Sequence, residues 1–253
     1  MLFTDQLNRK ITIPSPPKRV VSLVPSQTEL LVDLGLEERL VGVTKFCVHP
    51  SHLRKSKTIV GGTKDYRFEQ IDQLKPDLII GNKEENNRDG IETLAQKYPV
   101  WLSDISSLKE NNHMILELGK IFQVSEKAES LVKEINSSFE KPMESKGSAV
   151  YLIWNKPLMA AGQSTFIDFM LKIAGFTNAT RRDRYPEITD KELKSLSPNH
   201  LLLSSEPFPF KRKHIDYFQS LLPNTKIKLV DGEMFSWYGS RLLKSADYFR
   251  SLK

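Results

Sequence analysis

Short apolar runs alternate along the chain with amphipathic stretches of helical spacing. In the first half, residues 20–24, 40–43, 58–60 and 78–80 have the composition of strands. These runs are continuously apolar, which is typical of a parallel sheet that is covered on both faces. The pattern therefore predicts an α/β fold, with helices packed on parallel sheets.

A helix signal follows the first of these strands directly. Ser26 and Glu29 have the spacing of a capping box, in which each side chain satisfies a backbone N–H at the start of a helix. We therefore expect a helix that begins at Ser26. It should end at Gly35, because glycine adopts the left-handed conformation of a helix cap without steric cost.

The second half of the chain repeats the pattern of the first. A predicted strand at residues 149–154 precedes an amphipathic helix at residues 165–174, and residues 190–205 have the same pattern as residues 68–83. Aligning Pro198 with Pro76 superposes a helix end and an apolar strand in both segments. The repeat predicts two lobes of similar topology.

A longer helix is predicted between these two halves, at residues 125–139. Its apolar stripe consists of Val124, Ala128, Leu131, Val132, Ile135 and Phe139. At about 1.5 Å per residue it forms a rod of roughly 22 Å. We expect an N-terminal α/β lobe at residues 1–120, a bridging backbone helix within residues 121–145 and a C-terminal α/β lobe at residues 146–253, with an open, nearly pre-formed cleft.

Composition excludes several classes of function. The net charge of +6 is modest and its densest patches, residues 181–184 and 211–214, match no nucleic-acid-reading motif, so no nucleic-acid partner is expected. No apolar run reaches the roughly 18 residues of a membrane span. The single cysteine rules out an intrachain disulfide. The first residues lack the features of a secretory signal, so we expect a cytoplasmic location, or a periplasmic or surface-anchored one if a signal was removed.

Ligands of open α/β sheets lie beyond the carboxyl ends of the strands, so the loops there supply the candidate site. The ligand-binding candidates are Phe46, Cys47, His49, Lys83, Glu84, Glu85, Trp154, Glu206, Phe208, Phe235, Trp237, Tyr238 and Arg241. Aromatic faces provide apolar contact area at low entropic cost. We expect core packing for Trp154 but exposure for Trp237 and Tyr238, and we expect Arg241 to pair with an anionic ligand group.

Motifs for catalysis and metal binding are incomplete. Cys47 and His49 form a C-x-H pair, which lacks the further ligands that zinc requires, and a half-buried thiol is the favoured interpretation. Glu84 and Glu85 are neighbours, so on an extended loop they point in opposite directions. The chain has no G-x-S-x-G, P-loop, G-x-G-x-x-G or H-E-x-x-H motif, and we predict neither catalytic residues nor a metal site.

Three segments resemble the helical-backbone periplasmic binding proteins, which receive cobalamin, siderophores and haem for ABC importers. They are RVVSLVPSQTELLVDLGLEERLVGVT (residues 19–44), FEQIDQLKPDLIIGN (68–82) and YPEITDKELKSLSPNHLLL (185–203), and the cobalamin-binding branch is the most similar. The resemblance implies two Rossmann-like lobes joined by one long helix. It also implies a ligand in the cleft, either a cobalamin-like corrinoid or another metal chelate such as a ferric siderophore or haem.

The resemblance also implies docking to an ABC permease through one glutamate on each lobe. Glu69 matches the first docking position, whereas Lys191 stands at the second with Glu192 beside it. Two alternatives to a transport receptor stay open. One is a cytosolic enzyme of corrinoid or metal-cofactor salvage, in which Cys47, His49 and a glutamate converge. The other is a ligand sensor that docks a protein partner through its basic segments.

Overall fold

A computed structural model of the protein describes residues 1–14 and 16–252. The chain forms two compact units. The first unit consists of Met1–Ile135 and Tyr238–Arg241, and the second of Asn136–Trp237 and residues 242–252. Residues 238–241 thus count with the first unit although they lie far along the chain, and the chain passes between the units three times.

The first unit is built on a five-stranded parallel sheet. The strands of this unit are β1 (Leu2–Thr4), β2 (Lys10–Thr12), β3 (Val20–Ser22), β4 (Leu40–Val43), β5 (Thr58–Ile59), β6 (Leu78–Asn82) and β7 (Val100–Ser103). Strands β1 and β2 form a separate antiparallel pair, and the other five form the sheet. The order in the sheet is β5-β4-β3-β6-β7. The direction of winding reverses between β3 and β6, where open sheets of this type bind ligands.

Helices of the first unit connect these strands. They are α1 (Pro25–Asp33), α2 (Leu53–Ser56), α3 (Phe68–Leu74), α4 (Arg88–Ala95), α5 (Leu108–Phe122) and α6 (Ser125–Phe139), the last of which continues into the second unit. One core cluster consists of Val21, Leu23, Val60, Tyr66, Ile71, Ile79, Ile91, Leu94, Val100 and Leu102. The strands β3, β6 and β7 are buried at every position; β3 and β6 were predicted from their apolar runs, whereas β7 was not singled out in the sequence.

The second unit also has a five-stranded sheet, in which four strands are parallel. Its elements are β8 (Gly147–Trp154), β9 (Met159–Ala160), α7 (Phe166–Ile173), β10 (Phe176–Asn178), α8 (Asp190–Leu196), β11 (His200–Ser204), α9 (Arg212–Leu221), β12 (Lys226–Val230), α10 (Glu233–Ser236) and α11 (Leu242–Ser251). Parallel strands run in the order β10-β8-β11-β12, and β9 pairs antiparallel with β8. The prediction of two α/β units with parallel sheets is confirmed.

The sequence repeat appears as a structural repeat. Helices α3 and α8 each have seven residues and end in a left-handed residue, Lys75 (φ 45°) and Ser197 (φ 41°). Pro76 and Pro198 follow and prevent continuation of the helix. Each helix then leads to a five-residue strand that is buried throughout, β6 and β11.

The predicted capping box at Ser26 is wrong. Helix α1 begins at Pro25 and is preceded by Val24, which provides no side-chain cap. Proline fits the first helical position because its fixed φ matches the helix and it has no N–H to satisfy. Ser26 therefore lies inside the first turn, and Glu29 is free to make a different contact. The predicted end at Gly35 is confirmed by its positive φ of 80°.

The helices of the described residues do not have the properties of membrane spans. None of the helices in the described part of the chain combines the length and the apolar character that a membrane span requires.

Candidate ligand-binding surfaces

A buried hydrogen-bond network occupies the carboxyl edge of the first unit's sheet. The Gln27 amide donates to the Gly81 carbonyl (3.1 Å) and to Ser103 Oγ (2.6 Å), and Asn82 Nδ2 donates to Ser103 Oγ (2.9 Å). All four residues are buried. These polar groups therefore join α1 to the ends of β6 and β7.

The loop after β6 is held as a turn by two asparagines. Asn82 Oδ1 accepts from the backbone N–H groups of Glu84 (2.8 Å) and Glu85 (3.2 Å). Asn86 Oδ1 accepts from the Asn82 N–H (2.7 Å), and its amide donates to the carbonyls of Leu23 and Thr63. The prediction of an extended loop at Glu84 and Glu85 is therefore wrong, because two amide side chains replace strand pairing there.

Tyr238 is almost fully buried, at 4% exposure, so the expectation that it is exposed is wrong. Its hydroxyl donates to Glu85 Oε1 at 3.1 Å. Burial, and then the nearby Glu85 charge, raise the pKa of Tyr238 well above its ordinary value, so the hydroxyl stays protonated as a donor. The next residue, Gly239, donates its backbone N–H to Asn111 Oδ1 at 2.6 Å.

Arg241 forms a buried ion pair with Glu29 on α1. Arg241 Nε donates to Glu29 Oε2 at 2.8 Å, and the two side chains are only 4% and 6% exposed. The guanidinium that we expected to meet an anionic ligand group thus has an internal carboxylate as its partner. Tyr238, Gly239 and Arg241 together fix residues 238–241 to the first unit.

Cys47 has the character of a core residue. It is fully buried, and its sulfur lies 3.1 Å from Thr28 Oγ1 and 3.3 Å from Thr44 Oγ1. Burial raises the pKa of the thiol, which keeps it protonated and therefore unreactive. The half-buried His49 lies two residues further along the chain. Within residues 1–14 and 16–252, no group of three or more His, Cys, Asp and Glu side chains has metal-binding geometry.

Two candidates of the first unit are exposed. The Phe46 ring is 49% exposed and lies under Lys45 Nζ, 5.1 Å from the ring centroid. The Lys83 ammonium pairs with Asp104 at 2.7 Å on the surface. Glu84 and Glu85 are half-buried beside them. This edge thus offers one aromatic ring and a set of mostly partnered charges.

An aromatic surface lies at the carboxyl edge of the second unit's sheet. Trp154 ends β8 and is 39% exposed, so the expectation of core packing is wrong. Its ring makes an edge contact with the half-buried Phe208, with centroids 5.7 Å apart. Phe208 in turn contacts Phe210 (4.9 Å) and His214 (5.5 Å). We refer to Trp154 and Phe208 as the aromatic face.

Glu206 lies beside this face but its carboxylate is engaged in the second unit. Glu206 Oε1 accepts from Ser236 Oγ (2.7 Å) and from Trp237 Nε1 (2.9 Å). Burial, with a smaller contribution from the charge of Glu233, raises the pKa of Glu206. Trp237 is only 8% exposed, so its predicted exposure is wrong.

Phe235 belongs to the core of the second unit. The ring is fully buried and packs on Tyr151 (5.0 Å) and Phe249 (4.7 Å). Packing with these rings accounts for its position, and it offers no surface to a ligand in this structure.

The two predicted docking glutamates differ in their surroundings. Glu69 lies exposed in the first turn of α3. Glu192 completes a capping box on α8, where its Oε2 accepts from the Thr189 N–H at 2.7 Å, and it pairs with Arg182 at 3.3 Å. The Thr189 backbone contact lowers the pKa of Glu192. Docking through these residues stays a prediction.

Sequence reasoning missed the buried polar residues of the first unit. Glu29 was interpreted as a cap, and Gln27, Ser103 and Asn82 were not singled out. One signal was available, because Asn82 and Ser103 each end an otherwise apolar strand at the carboxyl edge. Their partners lie 21 to 76 positions away in sequence, and only the fold reveals them.

The fold is that of a two-unit α/β protein with a parallel sheet in each unit. The chain matches the model of the periplasmic binding protein family over residues 20–219, and it belongs to that family.

Individual relatives have low sequence identity to this chain. The chain is 27% identical over 212 residues to the uncharacterized ABC transporter substrate-binding lipoprotein YvrC of Bacillus subtilis strain 168, covering 78% of this chain and 67% of that protein. It is 23% identical over 240 residues to a vitamin B12-binding protein of Pectobacterium carotovorum, covering 91% and 86%.

Solved structures share the fold. The periplasmic vitamin B12 binding protein BtuF of Vibrio cholerae superposes with a TM-score of 0.77 at 20% identity, covering 94% of this chain and 97% of that one. The periplasmic heme-binding protein RhuT from Roseiflexus sp. RS-1 gives a TM-score of 0.76 at 19% identity, covering 94% and 98%. At these identities the likeness concerns the fold alone.

Proposed function

We propose that this chain is the substrate-binding protein of an ABC importer and that it captures a metal chelate such as a corrinoid, haem or a ferric siderophore. Membership of the periplasmic binding protein family supports the receptor role. The names of the relatives, which include vitamin B12-binding and ABC transporter substrate-binding proteins, support the ligand class and the importer. Fold likeness does not choose among these ligands, because the similar structures include B12-, heme- and molybdate-binding proteins.

The observation that carries the proposal is the exposed aromatic face at the carboxyl edge of the second unit's sheet. A tryptophan that is 39% exposed at the end of a central strand is unusual, because a ring of that size gains most when it is buried. A macrocycle or a chelate shell offers a flat apolar surface that covers such rings. Phe208 extends the same surface.

Binding without covalent chemistry suits the remaining candidates. The buried and protonated thiol of Cys47 supports this view, since a nucleophilic cysteine needs a lowered pKa. We further propose that the protein works outside the cytoplasm, as its periplasmic and lipoprotein relatives do. Glu69 and Glu192 are the residues that would contact a permease.

The direct test is calorimetric titration of the purified protein with cyanocobalamin, haemin and ferric siderophores, in the wild type and in Trp154→Ala. We expect one ligand to bind with micromolar or tighter affinity. Trp154→Ala should weaken that ligand by about 5- to 30-fold, which corresponds to roughly 1–2 kcal/mol of lost aromatic contact.

Tyr217→Ala is the matched control. Tyr217 is 52% exposed on α9, so its substitution also removes an exposed aromatic ring from the second unit. This variant should bind as the wild type does. If the folded wild-type protein binds none of the chelates, the proposed ligand class is wrong; equal losses in both variants would separate the aromatic face from ligand binding.

A further inference from the structure

Three consecutive cations follow the loop that carries Phe208. Lys211, Arg212 and Lys213 are all exposed and lie at the start of α9, which follows β11 and therefore begins at the carboxyl edge of the sheet. In the described part of the chain, no carboxylate forms an ion pair with any of the three side chains. Their charges add up where the backbone N–H groups of α9 also point outward.

His214 connects these cations to the aromatic face. Its ring contacts Phe208 at 5.5 Å and Phe210 at 5.3 Å. Its Nδ1 accepts from the Lys211 backbone N–H at 2.8 Å, which fixes the ring and the start of the helix relative to each other. His214 therefore joins the start of α9 to Phe208 and Phe210, and the three cations begin the helix that packs on these rings.

The carboxylates of the same edge do not neutralise the three cations. The side chain of Glu206 accepts from Ser236 and Trp237 instead. Asp231 Oδ1 accepts from the Glu233 backbone N–H at 3.1 Å, at the start of the short helix α10. Lys156, two residues after Trp154, adds a further exposed cation in the loop after β8.

The geometry points to an anionic ligand: a metal chelate that lays an apolar face on Trp154 and Phe208 and directs carboxylate or phenolate oxygens to Lys211, Arg212 and Lys213. This inference rests on the proposed function and narrows its ligand to chelates with net negative charge. Charge complementarity selects among chelates of similar size, because an uncharged one would leave the cation cluster without a partner.

The test compares a trianionic ferric tris-catecholate with an uncharged ferric tris-hydroxamate, which hold the same metal. We expect the wild type to bind the tris-catecholate at least about tenfold more tightly. The triple variant Lys211→Gln, Arg212→Gln, Lys213→Gln should weaken the tris-catecholate by about 10- to 50-fold and change the tris-hydroxamate by less than about twofold. Added salt should weaken the anionic chelate alone.

A matched control is available in the first unit. Arg54, Lys55 and Lys57 carry the same three charges and lie at or just beyond the end of α2, before the amino end of β5. Their replacement by glutamine should leave both affinities within about twofold of the wild type. Thermal melts of both triple variants establish that each is folded before its affinities are compared.

Several outcomes overturn the inference. If the triple variant binds the tris-catecholate as the wild type does, or loses both chelates equally, the cations do not read ligand charge. A wild-type preference for the uncharged chelate, or for neutral cyanocobalamin, contradicts the inference while the proposed function stands. If the wild type binds none of the chelates, both the inference and the proposed function are wrong. Finally, suppose that the wild type binds phosphatidylglycerol vesicles, that the triple variant does not, and that both proteins bind the chelates equally. The surface then contacts membrane lipid instead.

Discussion

The two sheets are wound in a similar way, but the side chains at their carboxyl edges are used differently. In the first unit, Gln27, Asn82, Ser103 and Asn86 are buried and bond to one another or to backbone groups. In the second unit, the corresponding edge presents an exposed tryptophan and a row of exposed cations. The buried polar side chains of the first edge have partners within that unit, and Phe46 is the exposed ring there, whereas the second edge combines an exposed tryptophan with exposed cations.

The difference shows that a polar residue after a strand is not by itself evidence of a ligand site. An amide at such a position replaces the strand pairing that ends there, because buried backbone groups require partners. An exposed aromatic ring, in contrast, does not satisfy buried backbone groups of its own protein. The stronger functional signal at these edges is therefore an apolar group that the fold leaves uncovered.

One of the two largest expected effects comes from removing one partner of the buried ion pair in the first unit. Glu29→Ala leaves the Arg241 guanidinium buried without this carboxylate, which should lower the free energy of unfolding by about 3–5 kcal/mol. Urea denaturation measures this change. The exposed pair Arg88–Glu92 is the control, and Glu92→Ala should have no measurable effect. Similar losses in the free energy of unfolding of both variants would show that the buried Glu29–Arg241 pair stabilises the protein no more than an exposed pair does.

A smaller loss is expected at the turn that follows β6. Asn86→Ala leaves the Asn82 N–H and the Leu23 carbonyl without their partner and should cost about 2–3 kcal/mol. The neighbouring Asn87 caps α4 through the Gly90 N–H, and Asn87→Ala should cost about 1 kcal/mol. Hydrogen exchange of the Glu84 and Glu85 amides should accelerate in the first variant only.

The open edge of the second unit should tolerate truncation. Trp154→Ala loses an edge contact with Phe208 and some exposed surface, so we expect a cost of about 1 kcal/mol. Trp237→Ala removes a buried ring and the donor to Glu206 and should cost about 3–5 kcal/mol. Thermal or urea unfolding compares the two. Equal costs would mean that Trp154 is a structural residue and not a surface kept for a ligand.

The smallest effect is expected at the opposite, amino end of the same sheet. His200 is buried against Phe176, and burial followed by the charges of Lys228 and Lys226 lowers its pKa from the ordinary value of 6.5. The unfolded chain therefore takes up a proton more readily, and stability is lost as the pH falls below 6.5 towards the folded-state pKa.

His200→Gln should make the decline in stability between pH 7.5 and pH 5 shallower than in the wild type. Unfolding curves at several pH values measure the two slopes. Glu206, whose raised pKa acts in the opposite direction, is common to both proteins and cancels in the comparison. The exposed His113 serves as control for the replacement of a histidine by glutamine.

The fold could be predicted from the sequence because its signals are local. Continuous apolar runs, Gly35 at a helix end and the prolines after α3 and α8 each act within a few residues. The repeat of residues 68–83 in residues 190–205 revealed the second unit for the same reason. The start of α1 was misplaced by one residue because Pro25 competed with Ser26.

The candidate site was harder to predict, because exposure depends on residues far away in sequence. Trp237 is covered through Glu206, 31 positions earlier, and Tyr238 meets Glu85 across 153 positions. Neither distance leaves a trace in spacing or periodicity. The loops themselves were placed correctly, but the choice of exposed side chain within each loop required the structure.

Residues 238–241 belong to the first unit but are synthesised long after the rest of that unit. The ribosome delivers Met1–Ile135 first, yet Glu29 receives its guanidinium partner only when Arg241 has been made. Until then the nascent first unit carries a carboxylate that is expensive to bury, and its α1 surface stays incomplete. Neither unit therefore has all of its residues until the last part of the chain has been made.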